Sequence, residues 1–179
     1  MDATTHKMRA LEEGAAAVVE RGHTVILGWT DETPIIIREL AKANASSRGG
    51  VVVVLDEAAK TKLDKDCAAR LAGASLAHQL PFQLFPNSTF SLSPPPDCDL
   101  AGTRVIFRSG SRLRVSDLAR VSVHTCRAII LLPEPGLPPA LADAEALQAV
   151  LNLSTLGLDA NVVAAVRGAR PLRFARLLF

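Results

Sequence analysis

Val51-Val52-Val53-Val54-Leu55 is an unbroken aliphatic run with no polar residue to turn toward water, and it ends abruptly at Asp56. Such a run fits a strand buried on both faces, the kind found in parallel sheets whose crossover helices cover each side. The rest of the chain supplies the partners. His23-Thr24-Val25-Ile26-Leu27-Gly28 reads as a preceding strand, and residues 104–107, 128–132 and 161–166 read as three later ones. Helical patterns separate them. Ile35, Ile36, Ile37, Leu40 and Ala43 form an apolar side that stops near Ser46-Ser47-Arg48-Gly49-Gly50, and a charged helix follows through Lys60, Leu63, Asp66, Cys67 and Leu71. A short helix lies around Val115–Leu118, and in a long one Leu141, Ala144, Leu147 and Leu151 share a face. Alternation of this kind predicts an α/β, Rossmann-like, doubly wound and mainly parallel sheet of five or more strands.

Three segments fall outside the rhythm. Met8, Leu11, Ala15, Val18 and Val19 recur at spacings of three and four before Gly22, predicting a helix over residues 5–21 that precedes the sheet as a separate arm. Residues 73–99 carry Pro81, Pro86 and Pro94-Pro95-Pro96, no regular period and almost no charge, and read as a surface insertion loop. The sequon Asn87-Ser88-Thr89 within it has no secretory signal to give it meaning. Pro171-Leu172-Arg173-Phe174 begins another helix that runs to the apolar Leu177-Leu178-Phe179, an ending expected where a partner covers it or a parent chain continues.

Composition excludes several classes. The 179 residues, 49% hydrophobic, allow one well-buried domain, residues 23–179, after the arm at 1–22. A net charge of +2 gives no footprint for nucleic acid. Every lysine precedes Asp66, whereas Arg104, Arg108, Arg112, Arg114 and Arg120 cluster around one strand and turn, a pattern expected of a solvated face. Cys67, Cys98 and Cys126 form no C-x-x-C pair, which argues against zinc and against a disulfide framework. No apolar run approaches the ~20 residues that span a bilayer, so direct membrane insertion is not expected.

Ligands of doubly wound sheets bind beyond the carboxyl ends of the strands, near the reversal of strand order. Asp31, Asp56, Arg108, Glu134 and Arg167 each follow a strand and form one candidate rim, and Arg108-Ser109-Gly110-Ser111 has the composition of a small anion-binding nest. Asp56 is placed like the acid that hydrogen-bonds a ribose. Yet the turn after the first strand keeps only Gly28 of a G-x-G-x-x-G loop, and Trp29-Thr30-Asp31-Glu32-Thr33-Pro34 puts bulk and negative charge where a pyrophosphate would sit. NAD is therefore not expected to bind. Enzyme templates also fail: the chain has no tyrosine, no G-x-x-x-x-G-K-[ST] loop, no H-E-x-x-H helix and no G-x-S-x-G elbow. His6, His23, His78 and His124 lie in separate elements, and Cys126 beside His124 is poorly placed as a nucleophile pair.

Ile26-Leu27-Gly28-Trp29-Thr30-Asp31, Gly49-Gly50-Val51-Val52-Val53-Val54-Leu55, Arg108-Ser109-Gly110-Ser111, and Val121-Ser122-Val123 leading into Arg127-Ala128-Ile129-Ile130-Leu131-Leu132 resemble, in order and spacing, the CASTOR/POLLUX (DMI1) family of plant and algal ion channels. The likeness covers most of residues 22–167, the insertion excepted. It implies a regulator-of-conductance (RCK-type) Rossmann lobe, the gating module of a tetrameric cation channel at the nuclear envelope, with plastid-envelope relatives, linked to calcium signalling. On that resemblance the arm at 1–22 is a linker from the pore, the partners are other copies in a gating ring and the pore of a full-length parent, and the apolar C-terminus is the cut edge of a longer lobe. Pro133-Glu134-Pro135-Gly136-Leu137-Pro138-Pro139 departs from the family's acidic turn, while Asp143 matches it. The effector rim implied comprises Asp31, Asp56, Arg108, Ser109, Gly110, Glu134 and Asp143, with Ca²⁺ held by Asp31, Asp56, Glu134 or Asp143. An NAD(P)-binding oxidoreductase and a stand-alone protein-interaction module are the alternatives.

Overall fold

The computed structural model describes residues 13–76 and 100–168, without the side chains of 72–76. Five strands, β1 (Thr24–Leu27), β2 (Val51–Asp56), β3 (Arg104–Ser109), β4 (Ala128–Leu131) and β5 (Asn161–Ala164), form one sheet in the order β3-β2-β1-β4-β5. All four pairings are parallel, and β1 is central, with Leu27 opposite Leu55 on one side and Leu131 on the other. Four helices connect them: α1 (Thr33–Asn44), α2 (Lys60–Leu76), α3 (Val115–Arg120) and α4 (Pro139–Ser154). The chain winds outward from β1 to β3 and then returns to the far side of β1 with β4, so the switch point lies between β1 and β4.

Strand periodicity divides the core in two. Val25, Leu27, Val53, Leu55, Ile129 and Leu131 face one way and pack with Leu118 of α3 and Ala146, Ala149, Val150 and Leu153 of α4. Ile26, Val52 and Val54 face the other way and pack with Ile37 of α1 and Leu63 and Cys67 of α2. Each fully buried aliphatic side chain stabilises by about 1.5–3 kcal/mol relative to exposure, so the valine run of β2 is filled on both sides as its sequence requires.

The arm differs from expectation. Residues 5–12 lie outside the described residues, but 15–20 form no helix. Gly14 takes φ +74, a left-handed turn that breaks helical continuity, and the small Ala15-Ala16-Ala17 run lets the chain lie extended against the domain. Burial alternates along it, with Val18 in the core and Val19 exposed. This strap is tied by main-chain bonds from Ser109 N to Gly14 O at 3.2 Å, Val18 N to Arg120 O at 2.8 Å and Gly22 N to Thr125 O at 2.7 Å.

One helix keeps most of its expected face and another does not. In α1 the buried residues are Thr33, Pro34, Ile37, Ala41 and Asn44, with Ile36 and Leu40 packed against the same core, leaving Ile35 and Ala43 outside. In α4 they are Ala142, Asp143, Ala146, Ala149, Val150 and Leu153, while Leu141 and Leu151 are 56% and 45% exposed. A helix apolar on all sides gives two candidate faces, and the smaller residues allow the closer approach to the sheet. α2 continues through Leu76, into the segment read as insertion; the rest of that insertion and the helix expected from Pro171 onward lie outside the described residues.

Candidate functional site

β1 ends at Gly28, whose φ of +106 turns the chain across the top of the sheet, and whose N–H donates to Leu55 O at 2.9 Å. The next residue is locked from two sides. Trp29 N donates to Asp56 Oδ2 and Ala58 N to Asp56 Oδ1, both at 2.8 Å, so the carboxylate placed to receive a ribose joins two loops instead. The Trp29 indole stands edge-on to Phe107 with centroids 5.7 Å apart, and its Nε1–H donates to Asp66 Oδ2 at 2.8 Å. That hydrogen bond, with further help from Arg70, holds the Asp66 carboxyl below the usual aspartate range.

Arg112 occupies the switch point. It comes from the loop after β3 and is 8% exposed, and its guanidinium lies over Gly28, with Nη1 only 3.2 Å from where a Cβ at residue 28 would stand. Nη1 donates to Leu132 O at 2.6 Å, while Nη2 pairs with Glu134 and lies 3.4 Å from Glu145 Oε2. Asp56, Glu57, Glu134 and Glu145 line the same crevice of about 210 Å³. Burial pushes the Glu134 carboxyl above the usual glutamate range; Arg112 opposes that shift, and the neighbouring Asp56, Glu145 and Glu57 add to it. Where a Rossmann domain offers free main-chain N–H groups to a pyrophosphate, this one presents a bonded guanidinium ringed by carboxylates.

The remaining rim residues are already engaged. Arg108, 7% exposed, turns away from the crevice and donates from Nε to Ala16 O at 2.7 Å and from Nη1 to Phe107 O at 2.8 Å. The expected anion nest over Ser109–Ser111 is filled from within: Gly110 N donates to Asp56 O, Ser111 N donates to Asp117 Oδ2 at 2.8 Å, and Ser109 N holds the strap. An internal carboxylate has taken the anion's place. Asp143 is buried and accepts Arg167 N and Gly168 N, each at 2.8 Å, fixing the exit from β5. Asp31 has a 91% exposed side chain and pairs with Arg70 at 2.7 Å, a screened surface contact that contributes little.

Of the four carboxylates proposed as cation ligands, then, Asp56 and Glu134 share the crevice, whereas Asp31 and Asp143 lie elsewhere. Among the described residues no group of three or more His, Cys, Asp or Glu side chains is arranged to hold a metal ion. A second, wider cleft of about 920 Å³ lies beside the crevice, between Trp29, Arg70, Pro133 and Arg167. His23 is buried, with Nε2 2.9 Å from Val121 O, and burial pushes the Cys126 thiol up, away from a reactive thiolate.

Sequence reasoning missed Arg112 and Asp117. Arg112 is one of five arginines read as a solvated face, and Asp117 lies in the short helix expected around Val115–Leu118 without a role of its own. The available signal was position: an arginine four residues beyond Arg108, in a rim loop, can reach Glu134 at the end of the adjoining half of the sheet.

No protein-family model matches the chain. It is 38% identical over 164 residues to Ion channel DMI1 of Medicago truncatula, an alignment that covers 90% of this chain and 16% of that protein. Ion channel POLLUX and Ion channel CASTOR of Lotus japonicus are 37% and 35% identical over the same number of residues, again across 90% of this chain and across 15% and 16% of theirs. The chain therefore spans about one-sixth of the length of the channels it matches. Among solved structures, the GsuK RCK domain superposes with a TM-score of 0.54 at 21% identity, covering 98% of this chain and 29% of that one, a likeness of fold.

Proposed function

The chain is homologous to one segment of the CASTOR/POLLUX (DMI1) family of ion channels, and from that premise we propose that it is a regulatory lobe which biases a cation pore rather than a pore or an enzyme. No helix among the described residues is long and apolar enough to cross a membrane, so conduction is assigned to other parts of a parent channel at the nuclear or plastid envelope. The observation that carries the reading is Arg112: the crevice in which a Rossmann enzyme holds its dinucleotide is occupied by the chain's own guanidinium and its carboxylate partners.

Ca²⁺ is the proposed effector, at the mouth of this crevice, because a hard cation takes oxygen ligands and competes with Arg112 for Glu134 and Glu145, drawing together carboxylates that are not arranged to hold a metal ion while Arg112 is seated. Gating then follows from a difference in affinity between two conformations. The direct test replaces the corresponding segment of the Lotus japonicus CASTOR channel with this chain and records single channels. An open probability that still responds to Ca²⁺ supports the proposal; a channel that opens normally yet ignores Ca²⁺ contradicts it.

Copies of the lobe are proposed to meet through the outer face of α4, where Leu141, Ala144 and Leu151 form an exposed apolar stripe, in a tetrameric gating ring. Leu141→Glu with Leu151→Glu is expected to shift light-scattering mass to that of one chain while leaving the circular dichroism unchanged. An unchanged distribution of assemblies would place the contact elsewhere.

A further inference from the structure

The β3–α3 loop has two engaged ends. At its far end Arg112 enters the switch-point crevice and is bonded to Leu132 O and paired with Glu134. At its near end Arg108 and Ser109 hold the strap, through Arg108 Nε to Ala16 O at 2.7 Å and Ser109 N to Gly14 O at 3.2 Å. Asp117 makes the stretch between them stiff. It accepts Ser111 N at 2.8 Å and Arg120 Nη2 at 2.6 Å, and it sits so close to Gly110 that an added Cβ would stand 2.9 Å from its Oδ2. Arg120 closes the circuit, donating from Nη1 to Ser109 O at 2.9 Å while its own carbonyl accepts Val18 N at 2.8 Å. Ser122 Oγ adds a bond to Val18 O at 2.5 Å.

Of the strap's aliphatic residues Val18 alone is buried in the core, so its seating depends chiefly on polar ties: residues 14–18 are held by this loop and the end of α3, and residues 20–22 by Arg104 and Thr125. Segments held chiefly by such bonds open locally at low free energy. We infer that the β3–α3 loop is a latch coupling occupancy of the switch-point crevice to seating of residues 14–18: with Arg112 in place this part of the strap is fastened, and when Arg112 is displaced it is released. The path is contiguous, and its intermediate, the loop pinned on Asp117, contacts both ends, as physical coupling requires. Coupling is reciprocal, so release of the strap also loosens Arg112. None of this depends on whether the lobe serves a channel.

Amide hydrogen exchange of the full chain tests it. Arg112→Gln is expected to raise exchange at Val18 and Ser109 by about tenfold, with β5 and α1 unchanged. Leu63→Ala, which thins the core on the opposite face, provides the comparison and is expected to raise exchange globally without favouring the strap. Arg112→Lys keeps the charge but not the two-directional fork, and is expected to release the strap about threefold; it carries the test alone if the glutamine variant does not fold. Arg108→Gln should in turn raise exchange at Leu132, whose N–H is bonded to Leu27 O. Wild-type protection at Val18 and Ser109 in the Arg112 variants, or an increase no more selective than that of Leu63→Ala, overturns the inference.

Discussion

Alanine at position 49 is expected to destabilise the fold by roughly 3 kcal/mol or more, combining left-handed strain with overpacking. Gly49 has φ +101, and a Cβ there would stand 2.5 Å from the carbonyl carbon of Gly102 and 3.0 Å from its Cα. Those atoms are backbone and cannot rotate aside. The loop entering β2 and the loop entering β3 touch at this point, just before the register that pairs Val51 with Arg104, so relief of the clash pushes the two strands apart. Gly136→Ala separates the two contributions, because Gly136 has φ +86 with nothing within 4 Å of an added Cβ. It should lose only the strain, about 1 kcal/mol at the low end of the range for such residues. Urea unfolding midpoints decide: equal losses at the two positions would refute the contact argument.

Asp117→Ala is expected to cost about 2–4 kcal/mol, because it removes a buried acceptor from Ser111 N–H and leaves the Arg120 guanidinium without its carboxylate. Asp117 is buried and Arg120 about a quarter exposed, so water repairs part of the loss on the arginine side and little on the amide side. Asp117→Asn keeps an acceptor for Ser111 N–H while losing the charge, and should recover roughly half of the stability. Chemical denaturation measures the cost, and the Ser111 amide resonance reports whether the loop stays pinned. An alanine variant as stable as wild type would mean that the loop is held without this carboxylate.

The sheet was legible because its strands obey one rule. A run such as Val51–Leu55 has no polar side to show to water, so two covered faces follow from the residues themselves, and the observed parallel order with β1 central agrees. The strap was misread because Ala15, Val18 and Val19 satisfy helical spacing as readily as extended alternation; the tie came undone at Gly14, whose left-handed turn depends on its contact with Ser109 and Lys60, far along the chain. The α4 stripe was misassigned for a related reason, since a helix apolar all round does not announce which side meets the sheet.

The rim was legible in position and illegible in partnership. Of the expected rim, Asp56, Gly110 and Glu134 line the crevice, whereas Asp31, Arg108, Ser109 and Asp143 are engaged elsewhere. What the sequence could not convey is that each has an internal partner: Asp56 takes main-chain N–H groups from Trp29 and Ala58, and Asp117 fills the expected nest. The same holds for the arginines. Their clustering suggested water, but Arg108 and Arg112 are buried because carbonyls and carboxylates from distant parts of the chain converge on their guanidinium groups.

A titration of the chain with NADH, followed by nucleotide fluorescence and by amide shifts of Gly28 and Ala58, meets the central claim most directly. With Arg112 seated over Gly28 among four carboxylates, no saturable binding is expected up to about 1 mM, a free energy weaker than about −4 kcal/mol. Micromolar affinity accompanied by shifts at those two amides would show that the crevice accepts a pyrophosphate, and would contradict the assignment of this lobe to regulation without a dinucleotide.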